Sequence, residues 1–390
     1  MKKVITSRSN SFAVILMFIF IFLFPISLAG AAEKVVNMGV VTPLSGKMAE
    51  YGIDFLRAIE LAASEINAQG GITVGGEKYR LKVIGYDNEM KPAVAVKMAM
   101  RLRSLDNCPA IFSPESTTAL SVMKYNEKEK FLLLATSTSP EFTEAGNKLV
   151  IRITTPFTRY CQVVMDEGWK QGLRKAALLV ISFETSKRWS AYFEKKWREK
   201  GGEIVGSEEV GVNEMDYYSK LTKLISKNPD VILNASAVDE TAGQVVKQAR
   251  ELGYKGTFIF SEACDGASLI DIAGKKNTEG VLISASTSSL KTPAVLNYIK
   301  RFKEKYPDGT IQSASPKGYE ALVMVAKAME KANTTTDAYK IRAALPLVVP
   351  VPSQFRVSAF SEVTEQGETG SPALAIQIKN GEKVILNQIN

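Results

Sequence analysis

The sequence predicts an α/β protein built from two doubly wound lobes, and three observations carry that expectation. Short apolar, β-branched runs alternate with amphipathic helical stretches from Val35 onward. The rhythm weakens at Val150–Pro156 and then restarts. The strands are continuously apolar, as they are where a parallel sheet is covered on both faces. A chain of 390 residues has room for two such units.

The elements follow in order. Val35–Val41 reads as the first strand. Ile53–Gln69 reads as a helix, because Phe55, Ile59, Ala62, Ala63 and Ile66 recur at three- and four-residue steps before Gly70-Gly71 ends it. Thr73–Asp87 gives strand segments about a Gly75-Gly76 turn, and Pro92–Arg103 a helix with proline in its first turn. Ala110–Phe112 and Phe131–Ala135 are short buried strands around a helix at Thr118–Lys128. After the break come helix Thr158–Gln171, strand Lys175–Ile181, helix Arg188–Lys200 and strand Ile204–Val210. Helix Tyr217–Lys227, strand Val231–Asn234, helix Thr241–Leu252 and strand Thr257–Phe260 continue the pattern. Beyond Pro293 the chain is helical over Pro293–Tyr306, Pro316–Ala332 and Asp337–Ala344. It closes on a hairpin, Ala373–Lys379 and Lys383–Asn387, about Asn380-Gly381.

Composition removes whole classes of chemistry. The chain has no histidine, which excludes Ser-His-Asp and Cys-His catalysis and every imidazole metal site. Three cysteines, Cys108, Cys161 and Cys264, are too few and too dispersed for a zinc or iron–sulfur site, and allow at most one disulfide. No stretch matches GxxxxGK[ST], and no GxGxxG follows the first strand. No cofactor is implied.

The first 32 residues read as a secretory signal peptide. Lys2, Lys3 and Arg8 form a basic head, an apolar run spans Phe12–Leu28, and Ala29, Gly30, Ala31 and Ala32 supply the small residues a signal peptidase needs. Cleavage after Ala31 and after Ala32 both fit. The competing reading is an uncleaved anchor, since residues 9–32 carry no charge. Cleavage would place the protein in the periplasm, with 46 basic and 41 acidic residues and a net charge of +5. The basic clusters, Lys195, Lys196 and Arg198, and Lys300, Arg301, Lys303 and Lys305, sit at helical spacing among acids and apolar residues. They read as solvated helix faces, and nucleic acid is not expected as a partner.

In an open α/β sheet, ligands sit beyond the carboxyl ends of the strands. The loop Thr42–Gly52 after the first strand is therefore a candidate wall. Ser113-Pro114-Glu115-Ser116-Thr117-Thr118 and Thr136-Ser137-Thr138-Ser139-Pro140 follow the next two buried strands. Hydroxyls beside a helix N-terminus can cradle a carboxylate, although Ser and Thr are also the usual N-caps. In the second half, Ser261-Glu262-Ala263-Cys264-Asp265-Gly266 follows Thr257–Phe260. A carboxylate there can meet a buried ammonium, or cap the next helix. Glu262 and Asp265 could also form the carboxylate pair of a hydrolase, but nothing else in the chain supports a sugar site.

Taken together, these residues resemble the periplasmic leucine/isoleucine/valine-binding protein family, the type I substrate-binding proteins of branched-chain amino-acid ABC transporters. The resemblance rests on Gly39-Val40-Val41-Thr42-Pro43-Leu44-Ser45-Gly46, Ala49-Glu50-Tyr51-Gly52, and Glu65-Ile66-Asn67-Ala68-Gln69-Gly70-Gly71-Ile72. Asp87 with the Ala95-Val96 helix, Asn228-Pro229-Asp230, and Gln248-Ala249-Arg250-Glu251-Leu252-Gly253 extend it.

The resemblance implies two Rossmann-like lobes joined by three crossovers. Lobe 1 would take residues 33–155 and 286–352, and lobe 2 residues 156–285 and 353–390. It also implies a monomer that closes over a small amino acid and delivers it to permease subunits in the inner membrane. Ser116 or Thr117 resembles the carboxylate-binding hydroxyl, and Thr138 the threonine touching carboxylate and ammonium. Thr136 resembles the residue whose carbonyl accepts from the ammonium, Tyr51 the aromatic wall, and Glu262 the acid that pairs with the ammonium. Thr185-Ser186 and Val238-Asp239 stand where the family has tyrosines, and Glu115 is an acid beside the expected carboxylate cradle. Asp239 or Glu115 could thus meet a polar or basic ligand, while Thr185 remains a candidate contact from the second lobe. A ligand-sensing subunit of a signalling receptor, and a binder of another small carboxylate or amide, are the alternatives to amino-acid transport.

Overall fold

A computed structural model describes Met1 and residues 34–389, apart from Asp265, Ser288, Ser289 and Lys291. But for Met1, the signal peptide expected over residues 1–32 lies outside the described residues, as does Asp265. Among the described residues, no helix is long and apolar enough to cross a membrane.

Six strands form the first sheet: β1 (Lys34–Thr42), β2 (Ile72–Val74), β3 (Glu77–Asp87), β4 (Ala110–Ser113), β5 (Leu132–Ala135) and β6 (Val150–Arg152). Their order is β2-β3-β1-β4-β5-β6, parallel except for the β2–β3 hairpin. β1 runs beside β3 from Lys34↔Tyr79 to Thr42↔Asp87 and beside β4 at Gly39↔Ile111. The chain order reverses between β1 and β4, so their carboxyl ends flank a switch point where ligands bind.

The second sheet holds β7 (Lys175–Ile181), β8 (Glu203–Val210), β9 (Val231–Asn234), β10 (Thr257–Phe260), β11 (Leu282–Ser286), β12 (Ala373–Lys379) and β13 (Glu382–Ile389). It is ordered β13-β12-β11-β10-β9-β7-β8, with β12 and β13 antiparallel at one edge. The sequence pattern had not marked β6 or β11.

Helices cover both faces of each sheet. On the first, α1 (Ala49–Ala68) and α11 (Ser315–Ala332) share a core with Met38, Val40, Phe112 and Leu134, all fully buried. Each large apolar side chain so buried contributes about 1.5–3 kcal/mol. α10 (Pro293–Lys305) and α12 (Ala338–Ala344) extend that layer, while α2 (Pro92–Ser104) and α3 (Ser116–Asn126) cover the opposite face, and α4 (Glu141–Glu144) is a single turn. On the second sheet, α5 (Phe157–Lys170) and α6 (Glu184–Glu199) pack on one face. There α7 (Tyr218–Ile225), α8 (Asp239–Glu251) and α9 (Ala267–Ala273) pack on the other.

The chain passes between the sheets three times: from β6 to α5, from β11 to α10, and from the first core back to β12. The third passage falls later than the boundary expected at residue 352. Phe355, Val357, Phe360 and Val363 are all buried in the core of the first lobe. Apolar residues scattered through an irregular segment carry no periodicity, so the pattern could not say which core they fill. All three cysteines are buried thiols.

Candidate functional site

The first lobe brings the ends of β1, β4 and β5 together. After β1 the chain turns through Pro43, where the Leu44 N–H donates to Asp87 at 2.9 Å. It enters α1 so tightly that a Cβ on Gly52 would lie 1.8 Å from the Pro43 carbonyl oxygen. That close approach fixes Tyr51, whose phenol faces the Thr136 side chain; burial pushes it up to about 12.

Thr136 Oγ1 donates to the Pro114 carbonyl at 3.0 Å, tying the β5 loop to the β4 loop. A second tie joins Ser116 Oγ and Ser137 Oγ at 2.6 Å. The helix after β4 begins at Ser116 rather than Thr118, so Ser116 and Thr117 are exposed in its first turn.

Glu115, the residue before that helix, is 8% exposed. Its Oε2 accepts from Asn88 Nδ2 at 2.6 Å and from Thr118 Oγ1 at 2.5 Å. Oε1 is buried without a partner. Burial raises its carboxyl above the ordinary value, and the bonds from Thr118 and Asn88 pull it partly back.

Across the crevice, Ser116, Thr117 and Thr138 line one cavity of about 210 Å³ with Glu184, Thr185 and Arg188 of the second lobe. Arg188 spans the gap, donating to Glu141 at 3.0 Å while also bonding Glu184 on its own helix at 2.6 Å. Four of the eight residues expected from the sequence therefore meet in this cavity.

Glu262 projects from the end of β10, where Ser261 Oγ accepts from the Ser236 N–H at 2.8 Å and steadies the turn. Its Oε2 is buried without a hydrogen-bond partner. Burial raises its carboxyl, and its own backbone N–H, Lys317 and Trp189 pull it partly back. Tyr160 and Cys161 of α5 lie close enough for the Glu262 charge to raise both.

Lys317 comes from the first lobe, in the first turn of α11. Close packing holds it there, since a Cβ on the adjacent Gly318 would sit 2.6 Å from the Phe55 ring. Burial pulls its ammonium down to about 8, against the opposing effect of Glu262. The inner crevice thus sets an acid of one lobe against a base of the other.

Asp239 has a different place. Both of its carboxylate oxygens accept backbone N–H groups, from Gly266 and Ser268 at 2.9 Å each. It ties the start of α8 to the segment that follows Glu262. Ser186, beside Thr185, is likewise taken up, donating to the Ala235 carbonyl at 2.9 Å and accepting from the Ile181 N–H.

The sequence had not singled out Lys317, Trp189 or Tyr160. One signal for Lys317 was available: a cation in the first turn of a helix runs against the helix dipole, and α11 has no acid there to offset it.

The sequence pattern of a family described as periplasmic binding protein matches residues 35–383. The Leu/Ile/Val-binding protein of Citrobacter freundii is 26% identical over 293 residues, covering 71% of this chain and 75% of the relative. The Leu/Ile/Val-binding protein homolog 7 of Brucella suis is 27% identical over 346 residues, 82% of this chain and 84% of its own. Among solved structures, a branched-chain amino acid transporter substrate binding protein from Streptococcus pneumoniae, in complex with isoleucine, superposes with a TM-score of 0.71. It is 20% identical and covers 91% of this chain and 99% of its own. A solute binding protein of an ABC transporter from R. palustris, in complex with benzoate, superposes at 0.67, with 16% identity, covering 91% of this chain and 96% of its own.

Proposed function

The chain belongs to the periplasmic binding protein family, and we propose that it serves an ABC transporter as the extracytoplasmic binder of a small amino acid. The observation that carries this reading is the cavity shared by Ser116, Thr117 and Thr138 of one lobe with Thr185 of the other, together with the buried, unpartnered Glu262 oxygen of the second lobe. The hydroxyls take the ligand's carboxylate. Glu262 takes its ammonium, and Tyr51 walls the pocket beside Thr136. Related folds hold isoleucine in one case and benzoate in another, so the ligand is read from this chain's own residues.

The mechanism is hinge closure. A ligand that touches both lobes binds only the closed form strongly, and so shifts the population toward it. Each ~1.4 kcal/mol of preference for the closed form changes the closed-to-open ratio tenfold. The Arg188–Glu141 pair adds a small contribution of its own, because both side chains are about half exposed. Permease subunits in the membrane then recognise the closed shape of a monomer. No catalytic group takes part.

The test is a thermal-shift screen of the mature protein against amino acids, small carboxylates and amides, followed by titration calorimetry of each hit. A ligand at 100 times its Kd should stabilise by about 2.7 kcal/mol. Shifts confined to compounds without an amine would overturn the amino-acid reading.

A further inference from the structure

The cleft contains more buried acid than a neutral amino acid can satisfy. Glu115 follows β4 of the first lobe, near enough to Tyr51 for its charge to raise the phenol, Glu262 follows β10 of the second, and each leaves one carboxylate oxygen buried without a partner. Neither forms an ion pair among the described residues, and the base acting on Glu262 is Lys317. At the mouth, Glu141 and Glu184 share the single Arg188. Arg159 lines a neighbouring cavity with Thr138, and its charge is paired with Glu362 at 4.0 Å.

Apart from these ion pairs, the inner site holds two carboxylates and one ammonium. A zwitterion adds no net charge and leaves one carboxylate uncompensated. A buried charge without a partner is costly, so a ligand that brings a second cation is favoured over one that does not. Asp239 cannot be the group that meets this cation, because both its oxygens already hold backbone N–H groups. Glu115 can, because Asn88 and Thr118 fix Oε2 and leave Oε1 free.

We propose that the ligand is a cationic amino acid, with its second amino-type group held by Glu115 Oε1, its α-ammonium by Glu262, and its carboxylate by Lys317 and the cleft hydroxyls. This rests on the amino-acid reading above and narrows it to a substrate class. The raised carboxyl of Glu115 fits that role, since a bound cation would lower it and complete its partnering.

Lysine and norleucine form the decisive pair, because they share a chain length and differ in the terminal ammonium. Titration calorimetry of the wild-type protein should give lysine at least ~10-fold tighter binding than norleucine, the effect of one charge-assisted hydrogen bond. Glu115→Gln should reduce that preference below about threefold, with norleucine affinity held within about twofold. Norleucine or leucine binding as tightly as lysine to the wild type would overturn the inference while leaving the amino-acid reading intact. Failure of every amino acid to bind would overturn both. The wild-type comparison needs no variant, so it decides the matter even if Glu115→Gln does not fold.

Discussion

Replacing Glu262 by glutamine should move affinity and stability in opposite directions. In the ligand-free protein, Glu262 Oε2 is shut away from water with no hydrogen-bond partner, and burial raises the carboxyl. A folded-state value above the unfolded one means that the folded protein holds the proton more tightly. Stability is then greatest at low pH and falls as pH rises through the ordinary carboxylate range toward the folded value. Glu262 therefore costs stability at neutral pH, and the neutral amide removes that cost. In the complex the same carboxylate meets the ligand's ammonium, and a charge-assisted hydrogen bond contributes ~1.5–3 kcal/mol. Lys317 already offsets part of the charge, which places the loss near the lower end, at ~1.5–2 kcal/mol, or about 10–30-fold in Kd. Titration calorimetry reads the affinity, and urea unfolding of ligand-free protein reads the stability. An unchanged Kd would refute the assignment. Affinity and ligand-free stability falling together would show that Glu262 holds the fold rather than the ligand.

Three further substitutions probe the frame around the site. Lys317 is held at about 8 against an ordinary 10.5, so the unfolded chain binds the extra proton between those values. Ligand-free stability should rise with pH across that window and level off above it, and melts on either side of it should show Lys317→Met flattening the rise. Arg152 is 1% exposed and pairs with Glu368, which is 29% exposed, joining the first crossover to the third. Breaking a buried pair costs ~3–5 kcal/mol, and the solvent access of Glu368 lowers the expectation for Glu368→Ala to about 2–3 kcal/mol in urea unfolding. A loss under about 0.5 kcal/mol would mean that Arg152 is satisfied by its bond to the Ser139 carbonyl alone. Asp239→Ala removes the acceptor for two backbone N–H groups and should cost about 0.5–2 kcal/mol with or without ligand. Weaker binding with stability unchanged would return Asp239 to a ligand contact.

Much of the architecture was legible because parallel sheets bury both faces. Runs such as Leu132–Ala135 and Val231–Asn234 are apolar throughout, and the helices between them show one apolar stripe each. β6 was not, since three residues next to a break give no pattern, and its partner Glu368 lies more than two hundred residues away. The site divides along the same line. Strand-end hydroxyls such as Ser116 and Thr138 are marked by local sequence, because the end of a buried strand is where a switch-point ligand sits. Whether an acid at such a place is free is not a local property. Asp239 loses both oxygens to Gly266 and Ser268, some thirty residues on. Lys317 reaches Glu262 only because Gly318 lets α11 lie against Phe55 of α1.

That non-local origin bears on how ligand choice changes within one fold. Arg152, whose pair with Glu368 ties the first crossover to the third, bonds Glu368 and the Ser139 carbonyl and neither Glu115 nor Glu262. Glu115 sits on a loop whose own hydroxyl ties, from Thr136 Oγ1 to the Pro114 carbonyl and between Ser116 Oγ and Ser137 Oγ, do not involve its carboxylate. A substitution at Glu115 can therefore alter the charge presented to the ligand without loosening the hinge. The buried Oε2 contacts to Asn88 and Thr118 set the condition, since a side chain unable to accept from both would leave them unsatisfied at about 1–3 kcal/mol. Glutamine meets that condition through its carbonyl oxygen and alanine does not. Glu115→Gln should thus change ligand preference at nearly constant stability, whereas Glu115→Ala should lower stability as well. Equal melting temperatures for the two variants would show that Asn88 and Thr118 find other partners, and that Glu115 is held in place by the loop alone.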